Sequence, residues 1–86
     1  MTEYVVDIKL SARRELEKLS DQLVARLVPK IETLATTPRP SGCRKLRGYK
    51  DLWRIRVGDY RVVYIIDEHR KAVSVTRIAH RRDVYE

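Results

Sequence analysis

The sequence predicts an α+β domain in which a helical pair covers one face of a mainly antiparallel sheet of four or five strands. Three observations predict it: a helical period in residues 11–35, a hairpin pattern in residues 53–64, and strand-like segments at residues 4–10 and 73–81. Helices that come early and strands that come late favour layers in the order β-α-α-β-β-β-β. The whole chain, residues 1–86, is predicted to be one domain, because its length supports one modest core.

The two predicted helices follow the first strand, YVVDIKL at residues 4–10. Ser11 is the expected N-cap of a short first helix, and Ser20 or Asp21 caps the second. The second helix has apolar residues at helical spacing, namely Leu23, Leu27, Ile31 and Leu34. Pro29 interrupts it, which predicts a bent helix or, as the alternative, a helix broken into two pieces.

A loop follows the second helix and separates it from the remaining strands. The segment TTPRPSG, residues 36–42, combines helix breakers and turn formers, so it is predicted to form this loop. Residues 44–47, RKLR, then predict a short strand that leads towards the hairpin.

The hairpin is the most informative segment, WRIRVGDYRVVY at residues 53–64. Gly58-Asp59 between two β-rich runs predicts a two-residue hairpin with a type II′ turn. Opposed residues share a face and successive residues alternate, so one face is predicted to be apolar. Its members are Trp53, Ile55, Val57, Tyr60, Val62 and Tyr64. The other face carries Arg54, Arg56 and Arg61, and we call it the arginine face.

The arginine face is predicted to be open and to meet an anion. Arg56 lies directly opposite Arg61 in this register, and like charges at opposed positions cost up to about 1 kcal/mol. Mixed charges would serve solubility alone at no such cost. The alternative is a basic solvated face on which the arginines splay apart.

The register of the last strand, residues 73–81, has two solutions. In an antiparallel pair the residue numbers of two partners always add up to the same sum. If this sum is even for the last strand and the strand before it, Arg77 and Arg81 join Arg61 on the arginine face, while Thr76 and His80 turn inward. If the sum is odd, Arg77 points into the core. The cost of burying an arginine favours the even register.

The formal charge of +7 is concentrated in the second half of the chain. Residues 44–86 hold twelve Lys and Arg against six Asp and Glu, whereas residues 1–43 hold seven against six. A one-sided basic surface is typical of nucleic-acid binders, although an acidic protein would also fit. The sequence contains no basic amphipathic helix with an exposed apolar face, so membrane binding is not expected. The single cysteine, Cys43, excludes an internal disulfide and favours a reducing cytoplasm, and the acidic N-terminus does not resemble a signal peptide.

Several segments together resemble the RelE branch of the RelE/ParE toxin superfamily, the toxin half of prokaryotic toxin–antitoxin pairs. They are the first strand, the helical pair, the loop before KLRG (45–48), the segment LWRIRVGDYRVVY (52–64) and the C-terminal HRRDVY (80–85). The resemblance covers nearly the whole chain. It implies a ribosome-dependent endoribonuclease that cleaves messenger RNA in the ribosomal A site without a metal or cofactor.

The resemblance also implies roles for particular residues. Arg54 and Arg56 stand where RelE-type toxins carry basic residues that bind substrate phosphates, and Lys45, Arg47 and Arg77 are further candidates for nucleic-acid binding. The implied catalytic residues are Arg61 at the scissile phosphate, Arg81 near the leaving group, Tyr85 on the substrate and His80 in proton transfer. The implied partners are a RelB-type antitoxin, messenger RNA and the ribosomal A site, with operator DNA reached only through the antitoxin complex.

The chemistry agrees with these roles but leaves the general base open. Attack by the adjacent 2′-hydroxyl builds negative charge on phosphorus, which preorganised guanidinium groups can stabilise. Arginine stays protonated at neutral pH. His80 has a suitable ordinary pKa, whereas Tyr85 would need a strongly lowered one. Two other functions remain open: a ParE-type inhibitor of DNA gyrase without catalysis, and an inactive toxin that acts as a co-repressor with its antitoxin.

Overall fold

Alternating apolar residues in three consecutive strands build the centre of the fold. A computed structural model describes residues 3–48 and 51–83 of the chain. The strands are β1 (Val5–Ile8), β2 (Arg44–Lys45), β3 (Leu52–Val57), β4 (Tyr60–Asp67) and β5 (Ala72–His80). The helices are α1 (Leu10–Glu17) and α2 (Asp21–Glu32), and short 3₁₀ helices span Thr33–Ala35 and Arg81–Asp83. The predicted order β-α-α-β-β-β-β is confirmed.

The five strands form one sheet in the order β1-β5-β4-β3-β2. The first strand, β1, pairs parallel with the last, β5, and every other pairing is antiparallel. The mainly antiparallel sheet is therefore as predicted, with five strands. β2 is shorter than the predicted strand over residues 44–47.

The hairpin between β3 and β4 has the predicted register, with Val57 opposite Tyr60 and Arg56 opposite Arg61. Gly58 has a φ of 62°, whereas Asp59 does not have a positive φ. A type II′ turn requires this combination, because only its first central residue has positive φ.

A β-bulge in β5 reconciles the two registers expected for the last strand. Val63 pairs with Arg77, which is the even register, whereas Tyr64 pairs with Val75, which is the odd one. Thr76 is the extra residue between them, and its hydroxyl donates to the Val63 carbonyl over 3.2 Å. The bulge keeps the apolar residues on both sides of it facing the helices. Neither single register describes the whole strand, although the even one holds at Arg77.

The helices pack on the apolar face and bury one core between the two layers. Its members include Ala12, Leu27, Ile31, Leu34, Ile55, Val62, Tyr64, Val73, Val75 and Ile78. α1 begins at Leu10, so Ser11 is not its N-cap; the Ser11 hydroxyl instead donates to the Thr76 carbonyl. Ser20 does cap α2, accepting from the Leu23 amide over 3.3 Å.

Pro29 does not break α2, which continues to Glu32 before it changes to a 3₁₀ helix. The alternative of a helix in two α-helical pieces is therefore wrong. The following loop is held to the sheet by Tyr64, whose buried hydroxyl donates to the Pro38 carbonyl over 2.7 Å. Burial is the main reason that the pKa of this hydroxyl is raised above its ordinary value.

Candidate nucleic-acid interface

Two rows of side chains cross the arginine face, and each row runs through paired strands. One row is Arg44, Arg54, Val63 and Arg77, and the next is Arg56, Arg61 and Ala79. Directly opposed side chains on one face start about 4.5–5.5 Å apart at their Cβ atoms. The pairing therefore brings together Arg54, Arg56 and Arg61 as the sequence predicted.

Arg56 and Arg61 form the centre of this surface. They are direct partners across the β3–β4 ladder, with Arg56 exposed and Arg61 half-buried. Their opposition concentrates two positive charges where the hairpin ends. Such a pair attracts an anion that contacts both guanidinium groups, for which arginine's planar donor fork is well suited.

Arg54 contradicts the expectation that the whole arginine face is open, since only 1% of this residue is exposed. Two short residues on the same face, Val63 and Ala79, are also buried, at 4% and 6% exposure. Arg54 lies in the central part of the sheet, and the loop residues Ser41 and Gly42 line the same cleft. Its charge is consequently held in a fixed, poorly hydrated place.

That cleft has a volume of about 430 Å³ and lies between the end of α2, the loop over residues 36–43 and strands β2 and β3. We call it the α2–β2 cleft. Four basic residues line it, Lys30, Arg44, Arg54 and Arg56, and no Asp or Glu is among the described residues that line it. Arg44 was missed by the sequence analysis, because its place beside Arg54 depends on a β2–β3 register that composition does not give.

The other predicted binding residues have different surroundings. Lys45 pairs with Trp53, so it lies on the opposite face from Arg54, at the exposed edge of the sheet. Arg47 is exposed in the turn that follows β2.

Arg77 shares the arginine face, but it forms an ion pair of 3.1 Å with Glu15 of α1. The other Glu15 oxygen accepts from the Ile78 amide over 2.8 Å. The Arg77–Glu15 contact therefore joins α1 to β5, which gives Arg77 a structural task.

The C-terminal candidates Arg81 and His80 have different surroundings. Arg81 is exposed, and its backbone amide donates to the Asp59 carbonyl over 2.8 Å, which fixes it beside the hairpin turn. His80 pairs with Tyr60 on the apolar face, where the two rings lie edge to face with centroids 5.5 Å apart. The His80 Nδ1 accepts from the Arg82 amide over 3.3 Å. Tyr85 lies outside the described residues.

His80 is therefore separated by the sheet from Arg56 and Arg61, as the even register implied. A proton-transfer group must lie within hydrogen-bond reach of the reacting hydroxyl. In this structure the geometry gives His80 no such place on the arginine face.

No group of three His, Cys, Asp or Glu side chains is placed to hold a metal ion within residues 3–48 and 51–83. No helix in the same ranges is long and apolar enough to cross a membrane.

Comparison with known proteins points to one group. Residues 6–85 match the family model described as the ParE toxin of the type II toxin–antitoxin system, parDE. The chain is 32% identical to the toxin RelG of Mycobacterium tuberculosis over 83 residues, 95% of each protein. It is 34% identical to the toxin RelE of the same organism over 83 residues, 95% of this chain and 86% of the relative.

Solved structures agree in fold as well. One chain in the crystal structure of the RelBE2 toxin–antitoxin complex of M. tuberculosis superposes with a TM-score of 0.82 at 30% identity, covering 92% of this chain and 99% of that one. A chain of the archaeal RelE–RelB complex of Pyrococcus horikoshii has the same TM-score at 29% identity, covering 98% and 100%.

Proposed function

The chain belongs to the RelE/ParE family of toxins from type II toxin–antitoxin systems, and from that premise we propose that it is an endoribonuclease that cleaves messenger RNA on the ribosome. The observation that carries the proposal is the direct opposition of Arg56 and Arg61 on the arginine face. A binding surface for an acidic protein could use lysine or scattered charges. Cleavage of a phosphodiester is accelerated by fixed cations beside the phosphorus atom, and the pairing of Arg56 with Arg61 supports this role.

In the proposed reaction the 2′-oxygen bonds to the adjacent phosphorus while the bond from phosphorus to the 5′-oxygen breaks. A base takes the 2′-proton and the leaving 5′-oxygen gains a proton from water, so the products are a 2′,3′-cyclic phosphate and a 5′-hydroxyl. The half-buried guanidinium of Arg61 stabilises the charge that grows on the phosphoryl oxygens, and Arg54 and Arg56 hold the substrate phosphates. Arg81, beside the hairpin turn, stabilises the leaving 5′-oxygen. No metal or cofactor is needed for this route.

The base that takes the 2′-proton is the weakest part of this machinery. The two rows that hold the arginines contain neither a carboxylate nor a histidine in the described part of the chain. Since His80 faces the helices, we assign the base to Tyr85, the other residue that the resemblance offers for this role. A slow base is sufficient if the ribosome supplies the alignment of the 2′-oxygen, because orientation alone lowers the barrier substantially.

We also propose a RelB-type antitoxin as the partner that holds this toxin inactive in the cytoplasm. The similar chains come from structures of RelB–RelE toxin–antitoxin complexes. A cognate antitoxin that covers the arginine face would exclude RNA. Operator DNA would then be contacted by the antitoxin within the complex.

Primer extension on a reporter messenger RNA tests the proposal after brief induction of this chain and of its Arg61→Ala and Arg81→Ala variants. New 5′ ends inside translated codons, absent when initiation is blocked and lost in both variants, are the expected result. Arg70→Ala is the matched control, because Arg70 is exposed in the turn between β4 and β5. Growth arrest with intact messages would overturn the nuclease proposal.

A second candidate, inhibition of DNA gyrase, follows from one observation: the matching family model is named for ParE. In that case the arginine face would dock on the gyrase without catalysing a reaction. A supercoiling assay with the purified chain distinguishes the two, since a messenger RNA nuclease leaves gyrase activity unchanged.

A further inference from the structure

The α2–β2 cleft contains two basic residues that the proposed reaction does not use, Lys30 and Arg44. Lys30 lies in the last turn of α2, and Arg44 begins β2 at the edge of the sheet. They reach the same cleft from different elements that are distant in sequence. Arg54 and Arg56 complete its basic lining from β3.

The cleft is held in shape by contacts on its loop side. The Tyr64 hydroxyl binds the Pro38 carbonyl, and the Arg39 guanidinium lies 4.9 Å from the centre of the Trp53 ring. Arg39 also donates to Glu68 over 2.7 Å. These contacts fix the start of the segment whose later residues, Pro40, Ser41 and Gly42, line the cleft. The site is therefore preformed, which reduces the entropy lost on binding.

Its chemistry fits a phosphate group. The volume of about 430 Å³ is within the range of small-ligand sites. The hydroxyl-bearing residues Thr33 and Ser41 stand among the four cations. Arg54, which is only 1% exposed, adds a positive charge in poorly hydrated surroundings, where charges interact more strongly than in water.

The cleft is continuous with the arginine face through Arg56, which lines the cleft and also faces Arg61. Arg54 and Arg56 lie about 7 Å apart along β3, a distance comparable to that between neighbouring phosphates of an extended strand. A single RNA strand that places one phosphate at Arg61 thus has its next phosphate near the cleft.

We propose that the α2–β2 cleft binds an uncleaved phosphate of the RNA strand, next to the one that reacts, with Lys30 and Arg44 as binding residues. The cleft then sets the register of the strand over Arg61. This inference rests on the proposed function, but binding can be measured without cleavage. RNA is favoured over an acidic protein because the basic residues continue in a line to Arg61.

The test uses a fluorescent single-stranded RNA in which 2′-O-methyl groups prevent cleavage. Its affinity for the purified chain is measured by anisotropy from about 50 to 200 mM KCl, since each neutralised phosphate of a single strand contributes about −0.7 to the slope of log K against log salt. The Lys30→Ala/Arg44→Ala variant should bind about tenfold more weakly and have a slope less steep by roughly one phosphate.

The matched control is Arg14→Ala/Lys18→Ala, which removes one exposed arginine from α1 and one exposed lysine from the C-cap that follows it. It should keep the slope of the unsubstituted chain. Equal slopes for both double variants, or no binding at the lowest salt, would overturn the cleft proposal. A polyglutamate peptide provides a further check. If the Lys30→Ala/Arg44→Ala variant binds this peptide more weakly but binds RNA unchanged, the cleft is a protein-docking site and the proposal is overturned.

Anisotropy and primer extension together separate this inference from the proposed function. If the Lys30→Ala/Arg44→Ala variant has the less steep salt slope but the unsubstituted chain never cleaves messenger RNA, the cleft is supported and the nuclease is refuted. Cleavage with an unchanged slope supports the nuclease and refutes the cleft.

Discussion

Charged side chains are arranged in opposite ways at the two ends of the β3–β4 hairpin. At the end beside the β4–β5 turn, the Glu68 carboxylate accepts from the Tyr4 hydroxyl, Arg39 and Lys71, so opposite charges meet. At the other end, beside Gly58, Arg56 faces Arg61 across the ladder. The first arrangement links three segments of the fold. The second places like charges opposite each other, an arrangement that by itself disfavours the fold, and the proposed function gives these two arginines a phosphate to bind.

Charge reversal at Arg56 would place opposite charges at both ends of the hairpin, and we expect it to have the largest effect on cleavage. In the Arg56→Glu variant the glutamate would face Arg61, which favours the fold by about 0.2–1 kcal/mol. Cleavage of messenger RNA should fall by about 100-fold or more, because a cation that holds a substrate phosphate beside Arg61 is replaced by an anion. Urea unfolding and primer extension measure the two effects separately.

Arg70→Glu, in the exposed β4–β5 turn, makes the same change of charge away from the arginine face and should keep cleavage. If Arg56→Glu cleaves as well as the unsubstituted chain, the arginine face is a solvated surface. A stability gain without loss of activity would lead to the same conclusion.

The hairpin turn that carries this pair is expected to be the next most sensitive place. Gly58→Ala puts a side chain at a φ of 62°, which costs about 1–2 kcal/mol. The new Cβ would also lie 3.2 Å from the Arg26 Nη2 atom. Urea unfolding in the natural and Arg26→Ala backgrounds separates the two causes: the cost that persists without Arg26 is backbone strain. An unchanged urea midpoint in both backgrounds would contradict the positive φ of Gly58 in the type II′ turn.

At the stabilised end, Tyr64→Phe removes the hydroxyl that binds the Pro38 carbonyl. Stability should fall by about 1 kcal/mol, the usual net worth of such a bond. The Cys43 amide, which donates to the Pro40 carbonyl over 3.0 Å in the same loop, should exchange its hydrogen faster. Tyr60→Phe changes the ring that packs on His80 and serves as the comparison. Equal protection of the Cys43 amide in the two variants would show that Tyr64 does not hold the loop.

The sequence predicted the arginine face correctly where a short-range rule applied. Gly58-Asp59 sets the hairpin register, so the opposition of Arg56 and Arg61 follows from counting residues. The bulge at Thr76 was missed because one register was assumed for all of β5, although the apolar residues change phase between Val75 and Ile78. A bulge is what such a change of phase indicates.

Long-range packing decided what the sequence could not predict. Arg54 was expected on an open face, but it is buried and lines one cleft with loop residues distant in sequence, Ser41 and Gly42, an arrangement that no local pattern encodes. Arg44 became a site residue through its pairing with Arg54 across a turn of unpredicted geometry. The separation of His80 from the arginines followed from strand alternation once the register was known.

The smallest expected effect is the dependence of stability on pH at the Glu68 end. Hydrogen bonds from Tyr4 and then Arg39 lower the pKa of the Glu68 carboxyl to about 2. A carboxyl with a lowered pKa in the folded state stabilises the fold above its unfolded pKa, and that contribution is lost as the pH falls towards the folded value. Between about pH 4.5 and pH 2 the chain should therefore lose stability that Glu68→Gln has already lost at neutral pH. Urea midpoints of the two proteins should differ at pH 6 and converge near pH 2, whereas Glu17→Gln, an exposed carboxylate on α1, should match the unsubstituted chain throughout. Parallel curves for Glu68→Gln and the unsubstituted chain would show that the carboxylate gains nothing from its three donors, and the contrast between the two ends of the hairpin would then rest on the arginines alone.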